Sequence, residues 1–137
     1  MMIIYFDPRN ARLKIAEEPQ SVDALVVRLR EIQSEYITAL DAPLGVCIVD
    51  SSGDFMSVGL GGAEWLLCHT QVKAGFPFTQ LCALGNPELD GAAPFYFEQW
   101  TEFPKSALIP VAAAEAAIRE WLASGTLPGN VHWSFPE

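Results

Sequence analysis

The chain has 137 residues, of which 50% are hydrophobic and 18% are charged. A chain of this length and composition can bury an apolar core without a metal or a disulfide, so we expect one folded domain over residues 1–137 and exclude intrinsic disorder. Eight basic residues against seventeen acidic ones give a net charge of −9, which argues against a nucleic-acid-binding protein or a protein of anionic membrane surfaces, because both need a basic face.

The N-terminal third predicts a short edge strand followed by a helix. Residues 2–6 are apolar and predict the edge strand. Ser21 is a suitable N-cap, and apolar residues follow it at helical spacing from Val22 to Ile32, which predicts an amphipathic helix ending near Tyr36. The stretch 41–45 contains a proline and a glycine and is expected to end it.

The middle of the chain changes to strand periodicity. Apolar runs punctuated by turn residues predict five strands, at 44–49, 55–60, 64–69, 76–84 and 95–100. Consecutive strands joined by short turns indicate an antiparallel meander.

The C-terminal region returns to helical spacing and ends with a strand. Pro110 suits the first helical position, and Gly125 followed by Pro128 marks the stop. Glu115 and Arg119 stand four residues apart on the exposed side of this helix. Its expected buried stripe is Val111, Ala114, Ile118, Trp121 and Leu122, and a last strand is predicted at 130–134. The fold class is therefore α+β, an antiparallel sheet with an N-terminal and a C-terminal helix packed on it.

The cysteines and the N-terminus bear on the cellular compartment. There are three cysteines and no C-x-x-C pair, and this odd count argues against a disulfide framework, so free buried thiols are expected. The N-terminus lacks the basic flank of a signal peptide, and no run of eighteen apolar residues predicts a membrane span. We expect a cytoplasmic protein.

The sequence carries no recognisable catalytic or ligand-binding motif. The glycines at 59–62 lead into a strand rather than a helix, which favours a hairpin turn over a nucleotide-binding loop. Cys68 and His69 are neighbours, but successive strand residues point to opposite faces, and the two histidines of the chain do not stand at metal-ligand spacing. We therefore expect neither an enzyme nor a bound cofactor or metal.

Acidic and aromatic residues form the pattern most indicative of binding. Between residues 35 and 104 nine acidic residues accompany a single base, Lys73, and such a stretch attracts a basic partner, although excess acid also serves solubility. In the strand predicted at 95–100, alternation places Phe95, Phe97 and Gln99 on one face and Tyr96, Glu98 and Trp100 on the other. That second face is either a binding surface or covered by a helix, and the pair Glu64–Trp65 leaves the same choice.

The C-terminal stretch LIPVAAAEAAIREWLASGTLPGNVHW resembles the signature of immunity protein family one of bacterial polymorphic toxin systems. The strand leading into Gly59–Leu60–Gly61 resembles the central glycine-bearing strand of that family. The matching elements are Ile109–Pro110 before an alanine-rich helix, Glu120–Trp121 near its end, Gly125 and Pro128 in the turn, and Val131 with Trp133 in the last strand.

This resemblance implies an antitoxin that binds a cognate toxin domain, such as a nucleic-acid deaminase or a nuclease, and blocks it. A toxin that acts on nucleic acid needs a basic cleft, which an acidic partner can occupy. An adaptor or chaperone for a secreted effector, and a small-molecule-binding domain, remain alternatives, and the oligomeric state is open. The predicted charge partners are Asp54, Glu64, Glu88, Asp90, Glu98 and Glu102, and the predicted apolar anchors are Trp65, Tyr96 and Trp100.

Overall fold

The computed structural model describes residues 1–40 and 42–135, except for the side chain of Phe78. Asp41, one of the nine acidic residues of the central stretch and the first of the residues expected to end the first helix, lies outside the described part. The strands of this part are β1 Met2–Asp7, β2 Leu13–Glu17, β3 Gly45–Val49, β4 Phe55–Gly61, β5 Glu64–Lys73, β6 Phe76–Leu84, β7 Ala92–Tyr96, β8 Trp100–Pro104, β9 Leu108–Pro110 and β10 His132–Ser134. The α-helices are α1 Val22–Tyr36 and α2 Val111–Ser124, and a 3-10 turn covers Lys105–Ala107.

The strands form one large antiparallel sheet and one small hairpin. The main sheet has the order β10-β6-β5-β4-β3-β1-β2, and β9 pairs with the start of β5. This arrangement confirms the α+β class and the meander of β3 to β6. The prediction of an edge position for the first strand was wrong, because β1 lies between β3 and the unpredicted strand β2.

Both helices pack on the same face of the main sheet, where they enclose the larger part of the core. Helix α1 begins where predicted, with the Ser21 hydroxyl accepting a hydrogen bond from the Ala24 N–H, and Gly125 ends α2 with a φ of 74°. Pro110 directly precedes α2. Of the predicted stripe, Ala114, Ile118 and Trp121 are fully buried and Val111 and Leu122 are half-buried.

The two helices are also joined by ion pairs. The Arg30 guanidinium of α1 lies 2.6 Å from the Glu115 carboxylate of α2, and the Arg119 guanidinium of α2 pairs with the Asp23 carboxylate of α1. Glu115 and Arg119, predicted as neighbours along one helix, therefore each pair across to the other helix, because the helices lie side by side on the sheet.

The hairpin β7–β8 covers part of the opposite face, so the molecule has three layers: helices, main sheet and hairpin. The prediction of a single strand at 95–100 was wrong. The chain reverses at residues 97–99, where the Phe97 N–H donates a hydrogen bond to the Gln99 carbonyl. Packing of Phe95 against the main sheet favours this reversal, because the buried rings of β7 and β8 then share one apolar cluster.

The cysteines correct a further prediction. Cys68 of β5 and Cys82 of β6 stand directly opposite each other, with Cα atoms 4.0 Å apart, and form a disulfide. The strand register brings them together, which sequence spacing did not reveal. Cys47 is the free cysteine and is half-buried.

Candidate functional site

Two glycines create the site on which the hairpin rests. Gly45 and Gly59 are cross-strand partners on β3 and β4. A Cβ at Gly59 would lie 2.6 Å from the ring of Phe95, and one at Gly45 would overlap the ring of Phe97. The missing side chains thus leave a slot that these rings fill, and Phe95 is only 1% exposed. The hairpin is fixed through these inward side chains and through a hydrogen bond from the Tyr96 N–H to the Pro43 carbonyl. Of the alternating side chains, Trp100 and Glu102 are exposed, whereas Tyr96 is half-buried and packs against the larger core cluster.

The outward side chains form a surface with aromatic and acidic residues, which we call the outer hairpin surface: Tyr96, Glu98, Trp100 and Glu102. Tyr96 and Trp100 are cross-strand partners, and their rings meet edge to face with centroids 5.3 Å apart. Trp100 is 48% exposed, Glu98 lies in the turn, and both glutamates are exposed. The structure brings these four predicted residues together, through two strands rather than one.

Glu88 and Asp90 lie in the loop before β7 and are exposed. The Asn86 side chain accepts a hydrogen bond from the Glu88 N–H, and the Lys105 N–H donates to the Gly91 carbonyl. These bonds hold the loop beside the end of β8. The two acids therefore lie at the opposite end of the hairpin from Glu98.

Trp65 is not a surface anchor, which corrects its prediction. It has 0% exposure, and its indole N–H donates a hydrogen bond of 2.6 Å to the Gln33 side chain of α1. Strand β5 is central and its early residues are covered on both faces, so an aromatic residue there joins the core whichever way it points.

Asp54 and Glu64 lie apart from the outer hairpin surface. They stand at opposite ends of β4 and β5, roughly 23 Å apart along a strand of this length. The Asp54 carboxylate accepts a hydrogen bond from the Val72 N–H, so it links the start of β4 to the irregular end of β5. Glu64 is exposed at the other end.

Charge is distributed unevenly between the layers. Four arginines of the helix side hold acidic partners there: Arg9 pairs with Asp7 and Glu35, Arg28 with Glu17, Arg30 with Glu115, and Arg119 with Asp23. The Arg28 guanidinium also lowers the pKa of the Glu17 carboxyl through its hydrogen bonds.

The acids of the hairpin side have no such partners. Within residues 1–40 and 42–135, no salt bridge involves Glu88, Asp90, Glu98 or Glu102. Their charge is therefore available to a basic partner.

Metal binding and membrane spanning find no support in the described residues. No group of three or more histidine, cysteine or acidic side chains there is placed to hold a metal ion. Neither α1 nor α2 in that part of the chain is long and apolar enough to cross a bilayer.

Sequence reasoning placed Phe97 on the same face as Phe95, but it missed the glycine slot and the inward ring of Phe103. The available signal was a glycine in each of two adjacent predicted strands, since a strand interior lacking a side chain often marks a close approach of other groups.

Comparison with known proteins adds the family context. The sequence model of the family described as Immunity protein Imm1 matches residues 13–134, which is nearly the whole chain. No curated protein matches the chain.

Proposed function

Since the chain belongs to the Imm1 family of immunity proteins, we propose that it neutralises its cognate toxin by occluding the active site in a one-to-one complex. The toxin in this proposal is a nucleic-acid deaminase or nuclease, and the chain acts on it in the cytoplasm as a single domain. Such a toxin needs a basic cleft to hold phosphates, and that cleft is the part an acidic inhibitor would cover.

The observation that carries this proposal is the outer hairpin surface with its unpaired acids. Exposed tryptophan and tyrosine side chains are the residues that most often dominate binding energy, and flanking charges guide the encounter. Trp100, supported by the half-buried ring of Tyr96, offers such an apolar centre, and Glu98 and Glu102 lie next to it. Glu88 and Asp90 extend the negative surface along the hairpin.

Co-expression tests the function directly. The probe is the C-terminal toxin domain encoded beside the gene for this chain, and growth and co-purification are scored together. Rescue of growth with a stable one-to-one complex supports the proposal. Toxicity without rescue, or rescue without a complex, would contradict inhibition by occlusion.

Charge reversal tests the surface. The double change Glu98→Lys and Glu102→Lys should weaken toxin binding and reduce its dependence on salt, because two favourable long-range charges become unfavourable. The double change Glu18→Lys and Glu120→Lys is the matched control, since it alters the net charge equally at two exposed acids away from the hairpin. Equal affinity and equal salt dependence for the hairpin variant and the control would show that the toxin binds elsewhere.

A further inference from the structure

A cleft of about 280 Å³ lies beside the outer hairpin surface, between the hairpin and the main sheet. It exists because the hairpin covers the row of Gly45 and Gly59 but not the adjacent row. That row consists of Ile4, Cys47 and Ser57, which follow one another across β1, β3 and β4 and are half-buried. The cleft is therefore open to a group that approaches the hairpin from outside.

The walls of the cleft are mainly apolar. Phe97 and Phe103 of the hairpin form one side, with their ring centroids 5.8 Å apart, and Phe6 adds a third ring. At the floor the Cys47 thiol lies 3.8 Å from the Ser57 hydroxyl. Burial raises the pKa of that thiol, so the floor is uncharged at neutral pH.

One charged side chain lines the cleft. Glu98 stands at its mouth, in the exposed turn of the hairpin, and no basic residue is among the described lining residues. A second cavity, on the other side of the same turn, is lined by Arg12 as well as Glu98 and already contains a base. No salt bridge within residues 1–40 and 42–135 involves Glu98, so its carboxylate can accept a cation from the side of Cys47.

We propose that this cleft receives a long basic side chain, lysine or arginine, from the toxin. This inference rests on the proposed function and identifies the kind of group that is bound. The alkyl stem lies against Phe97 and Phe103, and the cation meets the Glu98 carboxylate at the mouth, as long basic side chains bury their stems and keep their heads near solvent. The cleft, at about 280 Å³, has room for one such side chain.

Cys47 reports on occupancy without any mutation. The probe is methyl methanethiosulfonate, and peptide mass spectrometry follows its reaction with Cys47 in the free chain and in the complex with the co-expressed toxin domain. Occupancy of the cleft should slow labelling at least about tenfold. A complex that forms but labels at the free rate would overturn this inference and leave the proposed function standing. Failure to form any complex would overturn both.

Variants test the charge of the incoming group. Glu98→Gln keeps the size of the side chain and removes its charge, and it should raise Kd by roughly 10- to 100-fold. Glu120→Gln on α2 is the matched control and should leave Kd unchanged. Protected Cys47 with less than a twofold change for Glu98→Gln would mean that a neutral group enters the cleft, which overturns the assignment of a basic one.

Filling the cleft tests its use independently. Ser57→Leu places an apolar side chain on the floor and should weaken the complex by a factor similar to Glu98→Gln. Circular dichroism and thermal unfolding establish that the variant is folded. If it is not, the labelling experiment on the unmodified chain still decides. A folded Ser57→Leu variant with unchanged Kd would contradict entry of any toxin side chain.

Discussion

Gly59→Ala tests whether the glycine slot holds the hairpin. The new Cβ would lie 2.6 Å from two ring carbons of Phe95, about 1 Å inside the ordinary carbon–carbon contact of roughly 3.5–4.0 Å. The ring has little room to move, because it is 1% exposed and packs beside Phe97 and Phe103. Overfilling a packed core costs about 1–3 kcal/mol. For a chain of this length that corresponds to a fall in Tm of roughly 3–10 °C.

Calorimetry or circular dichroism measures this change, with Gly129→Ala as the control. A Cβ at Gly129 would meet no atom within 4 Å, so the control should be neutral or slightly stabilising. Phe95→Leu removes the ring that causes the clash, so Gly59→Ala should cost less in that background than in the native one. A cost below about 0.5 kcal/mol, or the same cost in both backgrounds, would refute the slot.

Three further predictions concern the core and the disulfide. Burial lowers the pKa of His69 below its ordinary value of 6.5. At and below this pH the unfolded chain therefore binds more protons than the folded chain. The contribution of His69 to the free energy of unfolding should be at its full value above about pH 7 and should fall as the pH drops through 6.5. Urea unfolding at several pH values should show this fall, and His69→Gln should lessen it. Gln33→Leu removes the acceptor of the buried Trp65 indole N–H and should cost about 1–3 kcal/mol in denaturant unfolding, whereas a loss under about 0.5 kcal/mol would show that the N–H finds another acceptor. Thiol titration of the denatured, unreduced chain should give one thiol, and three after reduction, because Cys68 and Cys82 are bonded; three thiols before reduction would contradict that bond.

The helices could be predicted from sequence because their signals are local. Ser21 begins α1 with its own side chain, and Gly125 ends α2 in a left-handed conformation that glycine adopts freely. The apolar spacing between these ends identifies the buried side. None of this information depends on residues distant in the chain.

The hairpin could not be predicted because its turn carries no turn residues. The reversal at 97–99 contains no glycine, proline, asparagine or aspartate, and alternation therefore continued through it. The turn before β2 does contain Pro8 and Asn10, but β2 itself is only five residues long and largely exposed, so it lacks the apolar run of a predicted strand. The turn before β2 uses Ala11 and Arg12 at φ values of 52° and 58°, in a region where such residues are uncommon. In both places the surrounding structure decides the backbone conformation.

In the candidate site, too, local sequence predicted some features, and the whole structure decided others. Trp65 directly follows Glu64, and Trp100 lies two residues from both Glu98 and Glu102. Both stand in strand-like sequence, yet Trp65 is fully buried and Trp100 is 48% exposed. The difference arises from strand position, since β5 is central in the main sheet and β8 belongs to the outer hairpin. Strand order is a property of the whole chain, so local pattern could propose both residues but could not separate them.

If the outer hairpin surface binds the toxin as proposed, the arrangement of the hairpin allows partner choice to change while the fold persists. Phe95 and Phe97 face inward and are held by Gly45 and Gly59, whereas the neighbouring Glu98 faces solvent. The elements that resemble the family signature, such as α2 and its end at Gly125, lie in the layer on the opposite face of the sheet. Substitutions on the outer hairpin surface should therefore alter toxin recognition with little change in Tm, and substitutions in the glycine slot should do the reverse. Measuring both quantities for both sets of variants would reveal whether recognition and stability are separable in this chain.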